Sequence, residues 1–313
     1  MRLLQIDHIL VISPMYNQLR LLIEKENLLN QFRFLPEGEL SESDLRWADA
    51  LAAFNLKGDL DYSHLKWVHS LGAGVDRFLY QKPWPENVLL TRTVCSFGQR
   101  IAEYCLSYIL KDLQFHDEFH ARQREKNWQP MTPKMLGEQK VIIYGTGEIG
   151  QETAKSLSQF GVEVYGVSLS GKPKEYFKEV LMVDSHFGKL SEVDYLINTM
   201  PLTEQTAGFF DERVFEQVND AGFINVGRGA SVNEGALLSA LNRKQLRFAV
   251  LDVFAVEPLP SEHPLWNHSG VVITPHISAV TTPEEGAACF LDTLRKLEER
   301  KPLGNVVDWN KGY

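Results

Sequence analysis

The sequence predicts an α/β protein of two doubly wound, parallel-sheet domains, and three observations carry that prediction. Short apolar runs of strand length alternate with helical patterns along most of the chain. One run, Val141 to Tyr144, enters a turn with Gly145, Gly147 and Gly150, followed by a helical pattern and a second apolar run. That is the order of a Rossmann-like unit. A chain of 313 residues is also long enough for two cores rather than one.

Taken in order, residues 6–12 read as a first strand and 16–27 as a helix, and 47–54 and 65–70 as further short strands. This small α/β unit ends in Leu71, Gly72, Ala73 and Gly74, a glycine-rich turn just past a strand end. Such a turn presents backbone N–H groups to an anion or simply connects strand to helix, and these residues alone support both. Residues 101–124 carry one long helical pattern through Ile101, Cys105, Tyr108, Ile109 and Leu113, with Trp128 expected to pack at its end. Pro130 and Pro133 then break the chain.

In the glycine turn, Gly145 permits the tight bend, Gly147 lets N–H groups reach a pyrophosphate, and Gly150 lets helix and strand pack closely. Thr146, Glu148 and Ile149 complete the turn, and the helix amino terminus brings partial positive charge to the phosphates. The helix continues through Ala154, Leu157 and Phe160 to Gly161, and residues 162–167 form the next strand. Later strands are expected at 193–198, 221–229 (ending in the glycine-flanked Arg228), 248–254 (carrying Asp252) and 271–274, with helices at 236–241 and 284–300. The last helix is expected to return the carboxyl terminus to the first domain.

Composition narrows the partners. An apolar fraction of 44% with 23% charged residues describes an ordinary globular protein. The net charge of −9 argues against nucleic acid or an anionic membrane as partner, while leaving room for a local basic pocket. Cys95, Cys105 and Cys289 are widely spaced, which fits a reducing cytoplasm better than a disulfide framework or a metal site. No signal peptide or run of transmembrane length is visible.

Doubly wound sheets bind ligands beyond the carboxyl ends of their strands, and Arg228, Glu257 and His276 each follow such an end. Histidine is the side chain that exchanges protons near neutrality. A carboxylate bonded to it orients the ring and favours its protonated form. The planar fork of arginine suits a carboxylate and polarises a neighbouring carbonyl, and the glycines flanking Arg228 are expected to expose it to a ligand. Singly each is more often structural; gathered in one cleft they point to catalysis.

These blocks resemble a known family. Gly145-x-Gly-x-x-Gly150, Asn225-Val-Gly-Arg228-Gly, Leu251-Asp252-Val-Phe with Glu257-Pro, and Pro275-His276-Ile-Ser-Ala are similar, in order and spacing, to those of the D-isomer-specific 2-hydroxyacid dehydrogenases. Leu71-Gly-Ala-Gly-Val-Asp76 and Met200-Pro-Leu-Thr203 match as well, and the closing half is most similar to the glyoxylate/hydroxypyruvate reductase A branch.

The resemblance implies a discontinuous substrate domain, residues 1–97 and 280–313, with a dinucleotide-binding domain, 98–279, inserted. It implies hydride transfer from NAD(P)H to a small 2-oxo acid. Arg228 would anchor the acid, His276 would be the general acid/base supported by Glu257, and the Leu71 to Gly74 amides would hold the substrate carboxylate. Met200, Pro201, Thr206, Val226 and Gly227 would line the cofactor site, and Asp252 would hold the nicotinamide carboxamide. A homodimer using the 101–124 helix is implied too. Trp47, Leu71 and Trp266 are candidates for the pocket that takes the substrate side chain.

An NAD-selective unit ends its second strand in Asp or Glu, which bonds the ribose. Here Ser168, Leu169 and Ser170 stand there, with Lys172 following, so the expectation is NADP(H) preferred, with NAD(H) left open. Related reductases commonly carry Ser-Arg-Ser at this point, and Leu169 stands in the arginine position. Among alternatives, formate dehydrogenases pair the histidine with glutamine, which Glu257 argues against. A phosphoglycerate dehydrogenase would want more basic residues at the substrate. A dinucleotide-sensing corepressor would keep the same trio and is distinguished by turnover.

Overall fold

In the computed structural model, which describes residues 5–313 apart from 55, 57 and 59, the apolar runs become strands of two parallel sheets. The chain divides into two units, Met1–Cys95 with Val280–Tyr313, and Ser96–Ala279.

The first unit opens with β1 (His8–Ile12), α1 (Tyr16–Glu24), β2 (Gln31–Leu35), α2 (Glu42–Trp47), β3 (Ala50–Ala53), β4 (Trp67–Ser70), α3 (Asp76–Leu79) and β5 (Leu89–Arg92). Among the described residues its sheet runs β2-β1-β3-β4-β5, parallel throughout. Every residue of β3 and β4 is buried, as strands covered on both faces require.

The second unit comprises α4 (Phe97–Leu113), α5 (His116–Arg124), β6 (Lys140–Tyr144), α6 (Glu148–Ser158), β7 (Glu163–Ser168), β8 (Glu179–Met182), β9 (Tyr195–Asn198), α7 (Glu212–Phe215), β10 (Ala221–Asn225), α8 (Glu234–Asn242), β11 (Leu246–Leu251) and β12 (Val271–Ile273). Its sheet order is β12-β11-β10-β9-β6-β7-β8, again parallel. The order changes sense between β6 and β9, where a doubly wound sheet opens its ligand crevice. α9 (Pro283–Glu298) returns to the first unit. A Thr282–Glu285 capping box and Pro283 fix its start, and Phe290 stacks on Trp67 at 5.2 Å between ring centroids.

Several expectations need correction. The single helix over 101–124 is two, because Phe115 adopts a left-handed backbone (φ 54°) between α4 and α5. The apolar period stops at Leu113, and α5 buries no residue. Trp128, expected to pack at the helix end, is 99% exposed. Phe160 lies past the end of α6 and is 56% exposed. Trp47 closes α2 rather than opening β3. No helix among the described residues is long and apolar enough to cross a membrane.

Candidate active site

Strand register builds the site. Tyr144 pairs with Asn198, Asn198 with Asn225, Asn225 with Leu251 and Leu251 with Ile273, so five strands end level. Gly145, Thr199, Val226, Asp252 and Thr274 therefore leave the sheet along one edge. Every candidate residue of the second unit lies within a few residues of that edge.

The glycine turn has the shape a dinucleotide needs. Gly145 has φ +93°, where a side chain is strained. A Cβ on Gly150 would lie 1.9 Å from the carbonyl oxygen of Gly145, so only glycine lets α6 approach β6 this closely. Gly147, by contrast, has nothing within 4 Å of a notional Cβ, and no side chain caps the helix it begins. Thr146 is buried, its methyl filling the space over Gly166, and Glu148 and Ile149 form the first turn of α6. After β7, Ser168 Oγ accepts from the Gly171 amide (3.2 Å) and Ser170 Oγ from the Lys172 amide (3.4 Å), while Leu169 and Lys172 face solvent.

The turn after β9 is held from within. Thr206 Oγ1 donates to Pro201 O (2.6 Å) and accepts from the Thr203 amide (2.8 Å), so its hydroxyl shapes the Met200–Thr206 loop. Two residues not anticipated lock this loop to the next. Asn198 Nδ2 donates to Asn225 Oδ1 (2.9 Å) and Ser231 Oγ (2.8 Å), and Asn198 Oδ1 accepts from the Met200 amide (3.0 Å). All three side chains are buried. An asparagine closing two successive apolar runs was the signal, since a buried amide in such a place must find partners.

The glycines around Arg228 serve a purpose other than ligand access. A Cβ on Gly227 would lie 2.7 Å from Met200 O, and one on Gly229 would lie 1.9 Å from the Phe254 carbonyl carbon. They let three loops close on one another, with buried Val226 and Gly227 and half-buried Arg228 in the middle. Arg228 Nη1 donates to Gly227 O at 2.7 Å.

His276 and Glu257 meet. His276 Nδ1 lies 2.9 Å from Glu257 Oε2, and the other carboxylate oxygen accepts from the Phe254 amide at 2.9 Å. An ionised carboxylate only accepts, so Nδ1 carries the hydrogen and Nε2 is left for chemistry. Burial pushes the Glu257 carboxyl up, but the His276 hydrogen bond, the Phe254 amide and the charges of His276 and Arg228 outweigh it and hold it below its ordinary value. The His276 ring is 49% exposed and its backbone is left-handed, with φ 55°. That conformation costs of order 1 kcal/mol and persists only where neighbours impose it.

Asp252 is one of those neighbours. It is completely buried, and its carboxylate accepts from the amides of Ile277 (2.8 Å) and Ser278 (2.9 Å), while its carbonyl accepts from the His276 amide (2.8 Å).

In the first unit, Ser70 Oγ reaches the carbonyls of Gly72 (3.1 Å) and Gly74 (2.9 Å) and ties the turn after β4. Leu71 is buried in the core, and the half-buried residues of the turn are Gly72 to Gly74. Trp47 packs 4.8 Å from His8, the first residue of β1, under the Arg33 guanidinium. It therefore belongs to the amino-terminal edge of the sheet, opposite the Gly72 turn. Phe54, just past β3, is the aromatic that lies against Gly72, 3.5 Å from a notional Cβ. Trp266 is 49% exposed and donates its indole N–H to Pro260 O.

The family model described as D-isomer specific 2-hydroxyacid dehydrogenase, NAD binding domain, matches residues 106–278. A curated relative, glyoxylate/hydroxypyruvate reductase A of Serratia proteamaculans, is 36% identical over 256 residues, 80% of this chain and 82% of that one. Among solved structures, a D-isomer specific 2-hydroxyacid dehydrogenase from Xanthobacter autotrophicus Py2 in complex with NADPH and MES gives a TM-score of 0.88 at 27% identity, covering 99% of this chain and 100% of the other. The NADPH-dependent glyoxylate/hydroxypyruvate reductase of Sinorhizobium meliloti, in complex with NADP and sulfate, gives 0.86 at 28% identity, covering 98% and 100%.

Proposed function

The chain belongs to the D-isomer specific 2-hydroxyacid dehydrogenases, NAD(P)-dependent oxidoreductases, and from that premise we propose that it reduces glyoxylate and hydroxypyruvate with NADPH preferred. The observation that carries the proposal is the Glu257 carboxylate on His276 Nδ1, with the charge of Arg228 acting on the same carboxylate.

Residues 96–279 are assigned to the dinucleotide and the other unit to the substrate. The amides around Gly147 to Ile149 take the pyrophosphate, and Ser168, Ser170 and Lys172 take a 2′-phosphate. Bound there, the nicotinamide supplies the hydride. Arg228 grips the 2-oxo acid and polarises its carbonyl. The amides of Gly72 to Gly74 receive the substrate carboxylate, and Phe54 beside them bounds its side chain. His276 Nε2 delivers the proton to the carbonyl oxygen, and Glu257 stabilises the imidazolium before transfer.

Steady-state kinetics on a panel of 2-oxo acids with each cofactor tests this. Glyoxylate and hydroxypyruvate should lead the panel, and kcat/KM for NADPH should exceed that for NADH by about tenfold, the worth of one charge-assisted hydrogen bond. A higher value with NADH refutes the cofactor assignment; no turnover of any 2-oxo acid refutes the whole.

Cytoplasmic localisation is part of the same proposal and rests on the widely spaced cysteines. So is a homodimer. α5 buries nothing, and Trp128 and Met135 expose 99% and 67% of their surface, a combination suited to covering by a second copy. Sedimentation equilibrium should give twice the chain mass, and Trp128→Ser should weaken the association; a wild-type monomer at micromolar concentration excludes it.

A further inference from the structure

The loop that carries His276 is braced by a hydrogen-bonded chain that runs from Asp252 into α4 through Thr274 and Tyr104, two residues assigned no part above. Thr274 Oγ1 donates to Asp252 Oδ1 at 2.6 Å, and Tyr104 Oη lies 2.6 Å from the same Thr274 oxygen. The direction of this chain is fixed. Thr274 has one hydroxyl hydrogen, and it is committed to a carboxylate that only accepts. Tyr104 must therefore donate to Thr274. Burial pushes the Tyr104 phenol above its ordinary value of 10.0, so it keeps the hydrogen it donates.

Resting on the functional reading above, we infer that Tyr104 and Thr274 are positioning residues for the acid/base His276, acting through Asp252. Asp252 is the hub. Its two carboxylate oxygens collect Thr274, Ile277 and Ser278, the residues on either side of His276, and its carbonyl takes the His276 amide. The Thr274 carbonyl accepts from that amide as well, at 3.0 Å. A left-handed histidine is thus clamped by groups both before and after it in sequence. Removing the Thr274 hydroxyl leaves the half-buried phenol and one oxygen of the buried carboxylate each short of a partner. The loop then relaxes away from φ 55° and swings Nε2 off its line of approach. Misplacement of about 1 Å costs up to about a hundredfold in rate without touching binding.

The test uses the full-length protein with three variants. Thr274→Val deletes the hydroxyl at constant shape, Tyr104→Phe deletes only the terminal donor, and Thr274→Ser keeps the chain intact. With NADPH and glyoxylate, Thr274→Val should lower kcat about 10- to 100-fold, with KM for glyoxylate and Kd for NADPH within about twofold of wild type. Tyr104→Phe should lower kcat about three- to tenfold, and Thr274→Ser should restore most of the turnover. Independently of activity, the ¹⁵N imidazole resonances of His276 should move in Thr274→Val and Tyr104→Phe but not in Thr274→Ser. Wild-type kcat in Thr274→Val, equal losses in the valine and serine variants, or unmoved His276 resonances would each overturn the inference. So would weakened NADPH binding at unchanged kcat, which would make the chain a support for the cofactor. A wild-type protein that turns over no 2-oxo acid, yet shows the predicted resonance shifts, would retain the bracing and overturn only the functional reading.

Discussion

Replacement of His276 by asparagine is expected to lower kcat for 2-oxo acid reduction about 10²- to 10⁴-fold, the usual contribution of a positioned general acid. Asparagine is chosen because it tolerates the left-handed backbone at φ 55°, so the loss reports on chemistry and not on the loop. It preserves a donor for Glu257 but has no second nitrogen from which to release a proton. NADPH affinity should stay within about twofold, because the removed group acts on charge that develops only in the transition state. An asparagine variant retaining more than a tenth of wild-type kcat would dismiss His276 as the acid. Glu257→Gln should fall between the two, since an amide keeps the ring oriented but cannot stabilise the imidazolium. The sign of its pH effect follows from the depressed carboxyl. Glu257 contributes to folding above its ordinary value of 4.5, and that contribution is lost as pH falls through its lowered folded value. The glutamine variant should therefore lose less stability on acidification than wild type.

The parts of this molecule legible in the sequence are those whose cause is local. β6, β9 and β10 are continuous apolar runs because both faces of a central parallel strand are covered. Gly145 and Gly150 announce a turn because nothing else fits there. Two edge strands went unread for the complementary reason. β2 and β8 expose part of their length, so Gln31, Arg33 and Glu179 interrupt the apolar signal. The break at Phe115 has no marker either, since aromatic residues rarely take a left-handed backbone and the helical period merely fades.

Tertiary causes were misread where a local one was at hand. The glycines beside Arg228 suggested ligand access, whereas Gly229 is dictated by the backbone of Phe254, 25 positions along the chain. Trp47 was a candidate for the substrate pocket beside Leu71, but the direction of the strands puts the two on opposite edges. Asp252 shows the limit most clearly. A carboxylate after an apolar strand can face a ligand or its own loop, and only the positions of the Thr274 hydroxyl and two later amides reveal how much of it is already committed.

Removal of the Asp112 carboxylate is expected to cost about 2–3 kcal/mol of stability and to leave catalysis intact at 25 °C. Asp112 Oδ2 accepts from Tyr195 Oη (2.6 Å) and from Arg247 Nε (3.0 Å) and Nη2 (2.7 Å). The same guanidinium donates to the carbonyls of Asp194 and Asp220 and lies 4.6 Å from the Tyr195 ring centroid. One carboxylate thus pins α4 to β9 and β11, and through the Arg247 guanidinium to the residue before β10, where these three strands begin. That is the edge of the sheet opposite the catalytic loops, so its loss should not disturb them. With Asp112→Ala the guanidinium and phenol keep their largely buried places without their common partner. Breaking a fully buried pair in this way costs about 3–5 kcal/mol, and the side-chain exposures here, 25% for Asp112 and 19% for Arg247, set the figure lower. For a unit of this size the melting temperature should fall by about 5–10 °C, with kcat at 25 °C within about twofold of wild type. Asp112→Asn, which keeps an acceptor of the same shape, should recover part of the loss. An alanine variant melting with the wild type would show that desolvation cancels the attraction; one that melts normally but loses turnover would place α4 in the chemistry directly.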